Sequence, residues 1–239
     1  MAKCYRCEAT LTDEFCAKCG HPAEQPRLTG AYLASELASI FNLERGFFYT
    51  IREMILRPGV ATRGFVLNDR TRLVKPIIFV IVCSFIYTFG QQLFGFEDGY
   101  IVYGDSEPTT TLAIFTWISN NYGYANTGLA LFTAVWVRLC FSRYGHTIFE
   151  ILVMLCYVIG MIMLFMTVIG IVQVTTGLPI FQLGAIGTFV YAPWAIAQFF
   201  DKSRIWNYPI AFLCNIAGLL SAVFFVLLLG NTIDALRAI

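Results

Sequence analysis

IFEILVMLCYVIGMIMLFMTVIGIV, residues 148–172, carries a single charge, Glu150, near its start. At about 1.5 Å of rise per residue, a helix of this length outreaches the ~30 Å hydrocarbon core of a bilayer. Four more apolar runs accompany it. PIIFVIVCSFIYTFGQQLF (76–94) follows Lys75 without a charge, and LGAIGTFVYAPWAIAQFF (183–200) and YPIAFLCNIAGLLSAVFFVLLLG (208–230) lie downstream. NTGLALFTAVWV (126–137) is shorter and extends in both directions to give 123–141, crossing Arg138. Five membrane-spanning helices are therefore expected. A soluble helical bundle fails on supply: 58% of the 239 residues are hydrophobic, only 13% are charged and the mean hydropathy is +0.69, which leaves too little polar surface to coat five such helices.

Charge sets the expected orientation. Of 16 Lys and Arg, all but Arg138, Arg143, Lys202, Arg204 and Arg237 precede the first span. The 95–125 loop holds Glu97, Asp98, Asp105 and Glu107 and no base. Basic residues cluster on one side if the N terminus is cytoplasmic and the C terminus extracytoplasmic, as the positive-inside bias requires. The expected location is the inner (cytoplasmic) membrane of a bacterium, with the lipid bilayer as the first partner.

The chain opens with CYRCEATLTDEFCAKC, which places Cys4, Cys7, Cys16 and Cys19 in a C-x2-C-x8-C-x2-C pattern. Each CxxC turn aims two thiolates at one centre, and two such turns complete a tetrahedral sulfur site for one structural Zn²⁺. Four ligands close the site and leave no position for a catalytic water. With eight residues between the pairs there is no room for a core, so metal would fold this ribbon, residues 1–25. A disulfide framework needs an oxidising compartment, and residues 1–20 hold no apolar run to serve as a signal peptide. An iron–sulfur site or a redox-active CxxC also fits the spacing. Lys3, Arg6, Lys18 and Arg27 are balanced by Glu8, Asp13, Glu14 and Glu24, so no nucleic-acid partner is expected. Cys83, Cys140, Cys156 and Cys214 stand singly in apolar runs, as small hydrophobes.

Residues 26–75 join ribbon to membrane. Thr29 caps a helix with Tyr32, Leu33, Leu37, Ile40 and Phe41 at helical spacing. A second helix, from Glu44 to Leu56, sets Phe47, Phe48, Ile51, Met54 and Ile55 opposite Arg45, Arg52 and Glu53. Arg57-Pro58-Gly59 ends it, and a short helix follows from Val60 to Leu67. Amphipathic, aromatic and arginine-bearing, these helices are expected in the cytoplasmic interface of the bilayer, packed under the bundle, or both.

FNLERGFFYTIREMILRPGVATRGFVLNDRTRLVKPIIFVIVCSFIY resembles the membrane family known as domain of unknown function 3667. That family joins an N-terminal CxxC–CxxCG ribbon to an R-G-F…T…R-P-G stretch and a basic segment before the first span. Arg45, Gly46, Phe47, Thr50, Arg57, Pro58, Gly59, Lys75 and Pro76 match. The resemblance covers residues 4–95 and implies an all-α polytopic membrane protein: a ribbon, amphipathic helices and a helical bundle at 76–230. TRLVKP lacks the family's usual tyrosine, and YGHTIFE spaces His146 and Glu150 four residues apart where an adjacent Glu-His is usual. The family has no established activity, so the resemblance implies no mechanism.

Ionisable residues at span boundaries are the remaining candidates for chemistry. Arg138, Arg143, His146 and Glu150 are expected in one polar cluster at the cytoplasmic mouth of the second and third spans. Such a cluster serves either as an ion-pair belt anchoring the helices or as a site handling protons or a ligand. Gly160, Gly170 and Gly218 permit close helix approach. No nucleotide loop, zinc-protease motif or nucleophile elbow is present. The expected function is a non-catalytic membrane scaffold or adaptor whose ribbon docks a protein partner. The alternative is a small transporter or channel component, which the uncharged midplanes near Phe85, Ile159 and Phe224 would restrict to an oligomer.

Overall fold

The computed structural model describes residues 46–96, 110–120 and 122–237, together with Thr10, Ala17 and Lys18. The chain divides into two units, Met1–Asn42 and Leu43–Ile239, and the second carries all that follows. The four expected zinc ligands, the helix expected from Thr29 to Phe41 and the acidic residues of the 95–125 loop lie outside the described residues.

Among the described residues of this unit every regular element is helical. They are α1 (Phe47–Leu56), α2 (Pro58–Leu67), α3 (Pro76–Phe94), α4 (Thr110–Asn120), α5 (Tyr122–Cys140), a 3₁₀ turn (Ser142–Tyr144), α6 (Ile148–Thr176), α7 (Phe181–Asp201) and α8 (Asn207–Arg237). Four of them, α3, α6, α7 and α8, are long and apolar enough to cross a membrane. The expected span 76–94 matches α3 at both ends. Those at 148–172, 183–200 and 208–230 lengthen, α8 most, because Asn231, Thr232 and Asp234 continue the helix past its apolar part. The span expected at 123–141 is helical as α5, and Gly128–Cys140 is its apolar stretch among the described residues.

The bundle is organised around α6, which touches α1, α2, α3, α5 and α7. Glycines set its closest approaches. A Cβ on Gly160 would sit 2.7 Å from the Phe79 ring of α3, and one on Gly170 would collide with the ring of Phe96. On the other flank, Gly218 of α8 receives Thr133 of α5, whose Cα would lie 2.8 Å from an added Cβ. In a bilayer, burial from lipid into protein gains little by itself, so such close approaches carry much of the packing. The partners also give directions: Phe79 meets Gly160, Gly90 meets Thr167 and Phe96 meets Gly170, so α3 and α6 run parallel. Pairing of α6 with α7 is antiparallel, Gly184 lying by Met166 and Ile169 and Phe199 by His146.

Helices α1 and α2 tuck under one end of the bundle. Phe47, Met54, Phe65 and Val66 are buried there. Two tyrosines of the bundle reach down to the same segment: Tyr157 Oη donates to the Val74 carbonyl at 2.6 Å and Tyr191 Oη to the Met54 carbonyl at 3.0 Å. Thr50 Oγ1 bonds the Gly46 carbonyl and receives the Val74 N–H, both at 3.1 Å. Phe48, Ile55, Leu56, Val60 and Leu67 are exposed, so an apolar face is left over beside the buried one.

Two helix boundaries differ from expectation. Helix α1 starts at Phe47, where Gly46 is its N-cap, and α2 starts at Pro58, two residues before Val60. Proline suits a first helical position because its missing N–H would have had no helical partner. Only Arg57 separates the two helices, and it turns back to clasp Glu53 through Nε at 2.8 Å and Nη2 at 3.0 Å. That pairing raises the Arg57 pKa further above its usual value, the hydrogen bond being the larger cause. Gly59 is no turn residue. It lies inside α2, where any Cβ would strike the Phe199 N–H and the Ala195 carbonyl of α7.

Candidate functional site

Polar side chains of the described residues converge on the C-terminal end of α7. The last carbonyls of a helix have no partner within it. Here Phe200 O accepts from Arg63 Nη1 of α2 at 2.8 Å, and Asp201 O accepts from Asn207 Nδ2 at the start of α8 at 3.0 Å. Asn207 is fully buried and uses its whole amide. Nδ2 also donates to Tyr144 Oη at 3.0 Å, and Oδ1 accepts from Arg143 Nη2 at 3.0 Å. The Arg143 guanidinium lies 5.0 Å from the centre of the Tyr144 ring, a cation–π contact. Below it Phe200 stacks on Phe141 with centroids 4.3 Å apart.

His146 and Glu150 form a second knot against the same helix end. His146 Nδ1 lies 3.0 Å from Glu150 Oε2, and its ring packs at 4.9 Å from Phe199 and 5.6 Å from Phe200. Glu150 has further duties. Its Oε2 accepts the Thr147 N–H at 3.0 Å, while Thr147 Oγ1 accepts the Glu150 N–H at 3.3 Å, a capping box that starts α6.

The expected four-residue cluster is thus divided. His146 and Glu150 meet, Arg143 belongs to Asn207 and Tyr144, and Arg138 is half-buried with no hydrogen bond or ion pair to the other three. Geometry explains the division. The 3₁₀ turn and Gly145, at φ 73°, reverse the chain between Arg143 and His146 and send the two side chains to different neighbours. Asn207, Tyr144 and Arg63 were not picked out by sequence reasoning. Thr147 was passed over as well, although Thr147-x-x-Glu150 has capping-box spacing, whereas a lone Asn before an apolar helix carries no comparable signal.

As chemistry, the arrangement ties elements together. Each buried polar atom described above has a partner, and the joined groups come from α2, the 3₁₀ turn, α6, α7 and α8. The fold is that of an all-helical integral membrane protein. Residues 44–88 match the model of a family described as "Protein of unknown function (DUF3667)", a stretch that takes in α1, α2 and the first part of α3. No curated protein and no solved structure matches the chain.

Proposed function

We propose that the protein is a non-catalytic scaffold of the bacterial inner membrane that presents a cytoplasmic zinc ribbon to a protein partner. Five crossings support this reading better than four. Parallel α3 and α6 require the chain to return across the bilayer between them, and α4 and α5 are the elements available. At about 1.5 Å per residue, the 19 residues of α5 give ~29 Å of helix, about one hydrocarbon thickness. Five crossings also keep the base-rich segment before α3 in the cytoplasm and put the C terminus outside.

The carrying observation is where polarity is buried. Asn126 Nδ2 and Gln198 Oε1 are buried atoms without a partner. The wholly buried polar or charged residues among those described are Thr50, Glu53, Thr62, Thr133, His146, Thr167 and Asn207. All except Thr133 and Thr167 sit at the end where α1 and α2 pack, and the Thr167 hydroxyl is satisfied by its own helix at Met163 O, 2.8 Å away. A transport path would call for charged or convergent polar groups at mid-depth. The interior instead suits a rigid mount. For the ribbon, Cys4, Cys7, Cys16 and Cys19 supply the all-thiolate set that structural zinc takes, and the metal would contribute folding energy there, with no role in a reaction.

The test compares full-length protein with Cys16→Ser/Cys19→Ser, crosslinked in native membranes. The reading expects one zinc per chain in the parent, loss of zinc in the double variant, and loss of a defined crosslinked partner with the bundle still monodisperse. A zinc-independent partner, or an ion conductance in proteoliposomes of the parent above protein-free vesicles, would overturn it.

A further inference from the structure

A cavity of about 380 Å³ opens between the last turn of α1, one face of α2 and the turn at 68–73. It exists because α2 is small on that side. Ala61 and Gly64, one helical turn apart, form its floor, and a Cβ built on Gly64 meets no atom within 4 Å. Its rim is apolar, with Val60 38% exposed and Leu67 52% exposed.

Three guanidiniums line it, those of Arg57, Arg63 and Arg72, against two carboxylates, Glu53 and Asp69. Both carboxylates have internal duties. Glu53 holds Arg57 bidentately, and Asp69 Oδ1 accepts the N–H and hydroxyl of Thr71 at 2.9 and 2.7 Å. The arginines are only partly engaged. Arg63 gives one N–H to Phe200 O and Arg72 gives Nε to Tyr49 Oη at 2.6 Å, while each guanidinium carries five donors. These bonds fix the guanidiniums in place and leave a surplus of donors beside an apolar rim; among the lining residues positive charges exceed negative by one, with Asp201 acting on Arg63 from outside the cavity. Planar guanidinium forks match the oxygens of phosphate, and positions held in advance reduce the ordering cost of binding.

We propose that this cavity binds a singly charged phosphate ester, the headgroup chemistry of an anionic phospholipid. The single surplus charge fits a phosphodiester better than a dianionic monoester. The exposed apolar face of α1 and α2 continues from the rim in a position to take an acyl chain. This site is independent of the docking role proposed for the ribbon.

The experiment uses the purified full chain in detergent, titrated with dioleoylphosphatidylglycerol, dioleoylphosphatidylcholine and the deacylated headgroup glycerophosphoglycerol. Bound ligand is counted by native mass spectrometry. Gly64→Leu fills the floor from a position where a Cβ meets no atom within 4 Å, Arg72→Gln removes a charged fork, and Lys202→Gln is a basic-surface control. Saturable binding of the anionic lipid is expected, with little of the zwitterionic one. Each cavity variant should weaken it by about tenfold, the worth of one charge-assisted contact, and the control should not. Competition by glycerophosphoglycerol at equal concentration would identify a soluble ester as the source, and its failure would identify the bilayer. Equal binding of the two lipids, undiminished binding by monodisperse Gly64→Leu and Arg72→Gln, or equal weakening by Lys202→Gln would overturn the proposal.

Discussion

Helices α6 and α8 are nearly the same object in sequence: 29 and 31 residues, similarly apolar, each with a most hydrophobic stretch well able to cross a bilayer. In the fold they are opposites. That stretch is 61% buried inside the protein for α6 and 11% for α8. Hydropathy cannot make the difference, because lipid tails receive an apolar side chain as readily as a protein interior does. The difference lies in what each helix offers at close range. Along α6 stand Gly160 and Gly170, which admit Phe79 and Phe96, and Met154, Met161, Met163 and Met166, whose flexible side chains fill uneven space. Along α8 the buried residues are Asn207, Ala211, Cys214, Gly218 and Gly230, Phe225 meets the Phe132 ring of α5 at 5.6 Å, and Leu213, Leu220 and Phe224 are exposed.

The sharpest way to break this contrast is to fill the notch in α6. Gly160→Leu would drive side-chain atoms into Phe79 and Cys83 and should destabilise the bundle by about 3 kcal/mol or more, read as a lowered aggregation midpoint and a void-volume peak on size exclusion. Near-parental behaviour would mean that α6 is not the packed centre. A smaller loss is expected from Asn207→Ala, because α8 stays packed through Ala211, Cys214 and Gly218. The substitution removes the amide's bonds to Asp201 O, Tyr144 Oη and Arg143 Nη2 and leaves Asp201 O and Arg143 Nη2 with only their 3.3 Å contacts to the Arg204 N–H and Tyr144 Oη, at a cost of about 1–3 kcal/mol in thermal unfolding in detergent. Thr147→Ala removes half of the α6 capping box and should cost about 1 kcal/mol by the same measurement. Least affected should be Phe224→Ala, 64% exposed at the outset, with a change within about 0.5 kcal/mol. Should Phe224→Ala exceed Asn207→Ala, a second copy or another partner must cover α8.

How far the sequence revealed this architecture follows from the same physics. Span existence was legible because a run such as 76–94 leaves the backbone no partner in lipid except its own helix. Burial was not, since Leu220 and Leu155 read alike until neighbours are known. The Arg57-Pro58-Gly59 motif was legible as a boundary, and Pro58 bears that out. Gly59 looked like part of the turn because glycine most often marks one, whereas its task is to let α2 meet the backbone of α7. That contact joins residues far apart in the chain, which no local pattern encodes. The polar candidates divided for a similar reason. His146 and Glu150 are four apart around a helix start and were expected to meet, but the partner of Arg143 lies on another helix.

Five crossings are the central proposal: they are argued from parallel α3 and α6, and the mount proposed for the ribbon and the sidedness proposed for the arginines depend on them. The most direct measurement labels single introduced cysteines with a membrane-impermeant maleimide in intact cells, against the parent protein as background. The account predicts that Asp98→Cys and Ala238→Cys are labelled at once, and Ser203→Cys, in the turn between α7 and α8, only after lysis. Labelling of Ser203→Cys and Ala238→Cys in the same pattern, or of Asp98→Cys only after lysis, would contradict it.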